Sequence, residues 1–167
     1  MRISLLPKAI FPALTDLSVA YLQNNGIRLL MMDFDNTIVP YTTSVPTPEM
    51  EKWLKELAAS EIRLCVVSNS KKDRVKIFCQ DYGIPVITHA YKPFGGGVKR
   101  CLAEFSIAPQ YCALVGDQIF TDTLGANLNG VMPILVSAID NHNVWLKLRH
   151  VAELPFIFFA RKRRQKV

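Results

Sequence analysis

The chain has 167 residues, of which 50% are hydrophobic and 20% charged, a composition typical of one folded domain with its own core. A largely disordered chain is excluded, because it would contain fewer apolar residues. The formal net charge is +6, but the last seven residues carry five cations and the rest of the chain is left near +1. This distribution argues against a nucleic-acid-binding groove in the body of the fold.

The composition also restricts the cellular setting. The four cysteines form no CxxC pair and lie in apolar stretches, which predicts buried thiols in a reducing compartment. No apolar run reaches the roughly 18 to 20 residues of a membrane-spanning helix, and the N-terminus lacks the pattern of a signal peptide. We therefore expect a cytoplasmic protein, with peripheral contact at the inner face of the membrane as an open alternative.

Apolar runs and amphipathic segments alternate along the chain. Thr47, Pro48 and Glu49 offer an N-cap, a first-turn proline and an acidic first turn for the first helix of this alternation. This order predicts a three-layer, doubly wound α/β fold with a parallel sheet covered on both faces. The runs typical of buried strands are residues 27–34, 62–67, 85–88, 111–115 and 131–136.

Three regions follow from this alternation. Residues 1–26 are expected to form a helical segment packed on the core, residues 27–140 the core itself, and residues 141–167 a C-terminal helix and basic tail. No internal repeat or low-complexity segment competes with this division.

Carboxylates follow several of the predicted strands. Asp33 and Asp35 are two positions apart at the end of the first strand, so alternation points them the same way. Asp117 ends another strand, and the carboxyl ends of parallel strands meet at one edge. Carboxylates this close repel each other unless a cation lies between them, which predicts a site for Mg²⁺. Each aspartate alone could be an ordinary cap or turn residue.

Polar groups that suit a phosphate end two further strands. Ser68 and Asn69 precede a helix N-terminus, a favourable place for an anion. Lys92 can neutralise a carboxylate and a phosphate as a point charge. Taken singly, each of these residues fits a helix cap or a solvated lysine equally well.

The joint order of these motifs resembles the haloacid dehalogenase-like hydrolase superfamily. Asp33-Phe34-Asp35-Asn36-Thr37, Ser68, Lys92, and Gly116-Asp117 with Asp122 each follow their own strand, as the four motifs of that superfamily do. Within it, the chain is similar to the YqeG-type branch of subfamily IIIA, which includes phosphatidylglycerophosphate phosphatases. Further cues are Leu6-Pro7, Lys92-Pro93 and the stretch from Gly116 to Gly130.

The resemblance implies a role for each of these residues. Asp33 would be the nucleophile that forms an aspartyl-phosphate, and Asp35 the general acid and then the base. Ser68, helped by Asn69, would bind the phosphate, and Lys92 would stabilise the charge on Asp33 and on the transferring group. Asp33, the backbone carbonyl of Asp35, and Asp117 would hold Mg²⁺, with Asp122 acting through water or by orienting Lys92.

The resemblance also implies the class of reaction. An acidic residue at position 35 favours a phosphohydrolase, since dehalogenases of the superfamily lack it.

Only 35 positions separate Asp33 from Ser68 and 24 separate Ser68 from Lys92, which leaves no room for a cap domain. An open site suits a large or membrane-embedded substrate such as phosphatidylglycerophosphate, or a site that a neighbouring subunit of a homo-oligomer closes.

Several alternatives stay open at this point. The same chemistry serves a soluble phosphorylated metabolite, or a phosphotransferase whose acceptor is not water, and a non-catalytic binding module is a third class. Leu154-Pro155-Phe156-Ile157-Phe158-Phe159 and the cations after it resemble an interfacial anchor, but a disordered solubilising tail explains them equally well.

Overall fold

The fold is built on a parallel sheet of six strands. The computed structural model describes residues 4–140 together with Pro155 and Phe158. The strands lie in the order β1-β6-β5-β2-β3-β4, and all neighbours are parallel. Their bounds are β1 (Ala9–Phe11), β2 (Leu29–Met32), β3 (Arg63–Val67), β4 (Val86–Ile87), β5 (Cys112–Gly116) and β6 (Met132–Val136).

Helices connect the strands and cover both faces of the sheet. The first-turn signals of α2 act as predicted, because the Thr47 hydroxyl accepts a hydrogen bond from the Met50 N–H at 3.3 Å. The helices are α1 (Val19–Asn24), α2 (Pro48–Ala58), α3 (Asp73–Asp81), α4 (Gly97–Phe105) and α5 (Leu124–Leu128), with 3₁₀ turns at Leu14–Asp16 and Pro109–Tyr111 and a π-helical turn at Ile119–Thr123.

The central strand β2 is buried at every position. Its alternate side chains enter two separate cores: Leu30 packs in the cluster with Trp53 and Phe78 of α2 and α3, and Met31 in the cluster with Cys101 of α4. A strand buried on both faces is what a three-layer α/β fold requires. The predicted fold class is therefore confirmed, and all four cysteines are free and buried as expected.

The N-terminal segment differs from the prediction. Residues 9–11 form the edge strand β1, which pairs in parallel with β6, instead of part of a helix. Pro7 and Pro12 bracket this run, and proline disfavours a continuous helix there. Of the described residues 4–26, only those of α1, capped by the Ser18 side chain, are α-helical. The expectation of a helical segment over residues 1–26 was thus wrong for residues 9–11, which form β1.

The connections are short, as the spacing of the motifs predicted. Between Asp33 and Lys92 the chain forms only loops, α2, β3, α3 and β4, so the described residues include no cap domain. Among all the residues that the structure describes, no helix combines the length and the apolar character needed to cross a bilayer. The predicted C-terminal helix and basic tail at 141–167 lie outside the described residues, apart from Pro155 and Phe158.

The packing of α2 on the sheet yields a stability prediction. Leu57 is fully buried in the core beneath α2, so Leu57→Ala leaves a cavity and should lower the free energy of unfolding by about 2 to 5 kcal/mol. Urea denaturation followed by circular dichroism measures this change. Lys52→Ala on the exposed face of α2 is the control, with an expected change of less than about 0.5 kcal/mol; equal effects of the two substitutions would contradict the packing.

Candidate active site

The sheet brings the predicted site residues to one edge. Met32, the last residue of β2, is in register with Val66 of β3 on one side and Val115 of β5 on the other. The residues that follow these strands therefore emerge side by side. Asp33, Ser68 and Asp117 come directly or almost directly after the three strand ends and are all buried.

Lys92 lies at the centre of the site. Its Nζ is 2.7 Å from Oδ1 of Asp33 and 2.7 Å from Oδ1 of Asp122, and all three side chains are almost inaccessible to solvent. The second oxygen of Asp122 accepts a hydrogen bond from the Gln118 N–H at 3.1 Å. The ammonium group thus ties the end of β2 to the turn that follows β5.

The loop after β4 holds Lys92 in place. His89 and Tyr91 adopt left-handed backbone conformations, with φ of 50° and 49°, and the Lys92–Pro93 peptide bond is cis. The side-chain amide of Asn69 binds the Lys92 backbone on both sides, with Nδ2 donating to the carbonyl at 3.1 Å and Oδ1 accepting from the N–H at 2.6 Å. Asn69 therefore connects the loop after β3 to the loop that presents Lys92.

Burial and neighbouring charges set the electrostatics of the pair. Burial raises the pKa of Asp33 to about 6; Lys92 opposes this rise, whereas Asp122 and Asp35 add to it. The carboxylate form of Asp33, the form that can act as a nucleophile, still prevails at neutral pH. For Lys92, burial alone would lower the pKa, but the carboxylates of Asp122 and Asp33 outweigh burial and raise it. The ammonium form therefore persists.

The carboxylates fit a divalent cation. One oxygen from each of Asp33, Asp117 and Asp122 lies within 4.8 Å of the others. The Lys92 ammonium contacts two of these three carboxylates, and repulsion among the three favours a cation at the cluster when all are ionised. All the available donors are oxygen atoms, which are the ligands that Mg²⁺ prefers. The donor set therefore matches the predicted Mg²⁺ in charge and in chemistry.

Asp35 lies apart from these three carboxylates. Strand β2 ends at Met32, so the alternation used to align Asp35 with Asp33 does not extend to it. The Asp35 carboxylate forms an ion pair with the Arg74 guanidinium at the start of α3, and 17% of each side chain is exposed. The two residues therefore lie beyond the strand from which their alignment was predicted, and a common direction of the two side chains stays a prediction.

Arg74 is a site residue that the sequence analysis missed. Besides Asp35, its NH1 donates to the backbone carbonyls of Pro40 and Thr43 at 3.3 and 2.6 Å, and its guanidinium carbon lies 5.1 Å from the centre of the Phe34 ring. The planar guanidinium thus links three points of the loop after β2 to α3. A sequence signal existed, because Arg74 lies six positions after Ser68 in the first turn of the following helix.

Two further residues of the first motif also have structural tasks. The Thr37 hydroxyl donates to Oδ1 of Asp117 at 3.5 Å. Asn36 is fully buried with φ of 67°, and its side-chain oxygen accepts from the Asp140 N–H at 3.1 Å while its carbonyl accepts from the Ile139 N–H at 3.0 Å. The first motif is thereby tied to β5 and to the chain that leaves β6.

Ser68 and Asn69 occupy the predicted strand end with different contacts. Ser68 is buried, and its hydroxyl accepts from the Ser70 N–H at 3.1 Å in the turn that precedes α3. The Asn69 amide is engaged by the backbone of Lys92. The roles of Ser68 and Asn69 in phosphate binding stay predictions, and the structure gives Asn69 a positioning task in addition.

Comparisons with known proteins agree with this geometry. The family model described as mitochondrial PGP phosphatase matches residues 2–139. The probable phosphatase YqeG of Bacillus subtilis is 36% identical over 115 residues, which are 69% of this chain and 67% of the relative. The mitochondrial phosphatidylglycerophosphatase GEP4 of Saccharomyces cerevisiae is 27% identical over 156 residues, covering 84% of this chain and 77% of the relative.

A solved structure supports the fold. A haloacid dehalogenase-like family protein from Streptococcus pneumoniae superposes with a TM-score of 0.52 at 14% sequence identity, and the match covers 70% of this chain and 88% of that chain. At this level of identity the likeness concerns the fold alone.

Gly116 provides a test of how tightly the site is packed. A Cβ at this position would collide with the Asp122 side chain, so Gly116→Ala should displace Asp122 and disturb both Lys92 and the carboxylate cluster. We expect weaker binding of Mn²⁺, a paramagnetic substitute for Mg²⁺, by about tenfold, and a stability loss of about 1 to 3 kcal/mol. Electron paramagnetic resonance titration and thermal unfolding measure the two effects.

Gly96→Ala is the matched control for this substitution. Its backbone φ is −62° and nothing lies within 4 Å of the added methyl group, so metal binding and stability should stay close to those of the unchanged chain. Unaltered Mn²⁺ affinity in Gly116→Ala would show that the position of Asp122 does not matter to the metal site.

Proposed function

The chain belongs to the mitochondrial PGP phosphatase family and is a phosphatase of the haloacid dehalogenase type, and from this premise we propose that it hydrolyses phosphate monoesters through a phosphorylated Asp33. The observation that carries the proposal is the buried contact of Lys92 with Asp33 and Asp122 at 2.7 Å each. It keeps a carboxylate in place and supplies a fixed positive charge where phosphate charge accumulates.

In the first step, an oxygen of the Asp33 carboxylate attacks phosphorus while the bond to the leaving oxygen breaks. Asp35 donates a proton to that oxygen as it leaves. In the second step, Asp35 takes a proton from water, whose oxygen attacks phosphorus, and the acyl phosphate bond breaks to restore the Asp33 carboxylate. Lys92 faces negative charge in both steps, and its raised pKa keeps its side chain in the ammonium form.

We propose that the metal is Mg²⁺ and that its ligands are Asp33, Asp117 and the backbone carbonyl of Asp35. Bound there, the ion would neutralise phosphate charge and offset the repulsion among the carboxylates. Asp122 is better placed to orient Lys92, because its two oxygens face the Lys92 ammonium and the Gln118 N–H. Thr37 would steady Asp117 through its hydroxyl.

The Ser68 hydroxyl and the N–H groups that precede α3 form the proposed phosphate-binding side of the site. Ser68 directly follows β3, the strand next to β2, so it borders the same edge as Asp33. Asn69 would act mainly by fixing Lys92, with its remaining amide hydrogen available to the phosphate.

We propose phosphatidylglycerophosphate as the substrate. The family description and the name of the yeast relative both support this choice. An open site without a cap among the described residues suits a phosphate that a bilayer presents. The alternatives from the sequence, a soluble phosphorylated metabolite or an acceptor other than water, are distinguished by a substrate panel and by product analysis. The cytoplasmic location and a homo-oligomeric state stay predictions.

The nucleophile is tested by Asp33→Asn. The amide is a poor nucleophile and removes a metal ligand, so release of inorganic phosphate should fall by at least about a thousandfold. The assay compares phosphatidylglycerophosphate in detergent micelles with soluble monoesters, each with Mg²⁺ or EDTA. Asp81→Asn, an exposed aspartate at the far end of α3, should leave turnover unchanged. Undiminished turnover in Asp33→Asn would reject the mechanism.

The role of Arg74 in holding Asp35 is tested by comparing substrates whose leaving groups differ in their need for a proton. Arg74→Lys keeps the charge but loses the planar fork that binds Asp35 and two carbonyls together. Alkyl phosphates need protonation of the leaving oxygen, so their kcat should fall by about tenfold or more, whereas p-nitrophenyl phosphate should lose less than about threefold.

Arg63→Lys serves as the control for this comparison. Arg63 also stacks on an aromatic ring and donates to a backbone carbonyl, but it lies at the opposite end of β3 from the site. Both classes of substrate should be turned over normally by this variant. An equal loss on alkyl and aryl phosphates in Arg74→Lys would mean that Arg74 supports the fold of the loop and not proton transfer.

A further inference from the structure

Exposed apolar side chains concentrate at the edge of the sheet that carries the site. Among residues 4–140, seven large hydrophobic side chains are exposed, and five of them lie in loops that leave the carboxyl ends of strands. The remaining two are Ile77 on α3 and Tyr111 at the opposite end of β5. The five are Tyr41, Val45, Tyr91, Phe94 and Ile139.

Two aromatic residues flank the buried Lys92. Tyr91 is 56% exposed and Phe94 82% exposed, whereas Lys92 between them is 5% exposed. Tyr91 and Lys92 belong to the loop whose backbone is fixed by left-handed residues and by the Asn69 amide. A fixed loop that exposes Phe94 to solvent beside Lys92 suggests a binding partner with an apolar region.

Exposed cations lie in the segments that adjoin this loop. Lys71 Nζ lies 5.8 Å from the centre of the Tyr91 ring, and Lys72 is its exposed neighbour. In the first turn of α4, Lys99 and Arg100 are also exposed, and Arg100 donates to the carbonyl of His89 at 2.8 Å. We call the set Tyr91, Phe94, Lys71, Lys72, Lys99 and Arg100 the rim surface.

We propose that the rim surface docks on a lipid bilayer that contains anionic headgroups. Phe94 enters the boundary between headgroups and acyl chains, Tyr91 lies at headgroup level, and the four cations face the lipid phosphates. The combination of a solvent-facing aromatic with exposed cations in the adjoining segments fits a bilayer better than a second copy of this chain, which would have to place like charges against each other.

Docking in this orientation would open the site toward the membrane. The carboxyl edge with Asp33 and Lys92 would face the plane in which a lipid carries its phosphate monoester, so the substrate need not leave the bilayer. This consequence rests on the proposed function, whereas the docking itself does not depend on turnover. It requires no contribution from residues 141–167, whose cations would act in addition.

Phe94→Ala in the full chain tests the surface. Binding is measured by co-sedimentation with vesicles of phosphatidylcholine alone or mixed with an equal share of phosphatidylglycerol, in an Asp33→Asn background so that catalysis plays no part. We expect affinity for the mixed vesicles to fall by about tenfold. Lys71→Ala should weaken it by about fivefold at low salt and by less at high salt.

Tyr111→Ala is the matched control, because Tyr111 is an exposed aromatic at the opposite edge of the sheet. Its vesicle affinity should equal that of the parent chain. Equal binding by Phe94→Ala and Tyr111→Ala would overturn the proposal, as would a shift in oligomeric state on gel filtration in Phe94→Ala without any loss of vesicle binding. Since turnover is not read, failure of the phosphatase mechanism would leave this result unaffected.

Discussion

The site depends on one buried ammonium group placed between carboxylates. Lys92 contacts Asp33 and Asp122 at 2.7 Å each, and breaking such a buried pair by removing one partner would leave an uncompensated charge. Beside this contact, one oxygen from each of Asp33, Asp117 and Asp122 lies within 4.8 Å of the others. Repulsion among these carboxylates favours uptake of a proton or of a divalent cation, so the fold has to hold them together against that repulsion. This requirement connects the packing of the core to the proposed chemistry.

The scaffold meets the requirement by assigning each part of the site to a different strand end. The Asp33 carboxylate follows β2, the lysine follows β4, and Asp117 follows β5. Cross-links between these loops then fix their relative positions: the Asn69 amide holds Lys92, and the Arg74 guanidinium holds Asp35. Asp33, the proposed nucleophile, is therefore held from the loop after β4, whereas Asp35, the proposed general acid, is held from α3. This separates the buried pair from the more exposed Asp35.

Much of this arrangement could be predicted from sequence, because strand ends and motif order are local signals. Asp33, Lys92 and Asp117 follow apolar runs that only a buried parallel sheet accommodates. The ion pair of Arg74 with Asp35 could not be predicted, because it joins residues 39 positions apart and depends on how α3 packs. The three-residue strand β1 also escaped prediction, since so short an apolar run carries no period of its own and is fixed by pairing with β6.

The central claim is that phosphate passes through Asp33, and chemical trapping during turnover tests it most directly. The chain is quenched in acid while it hydrolyses substrate and is then treated with borohydride, which reduces an acyl phosphate to an alcohol. Peptide mass spectrometry should find homoserine at position 33, and only when both substrate and Mg²⁺ were present. Rapid phosphate release with an unmodified Asp33, or with homoserine at another aspartate, would contradict the account.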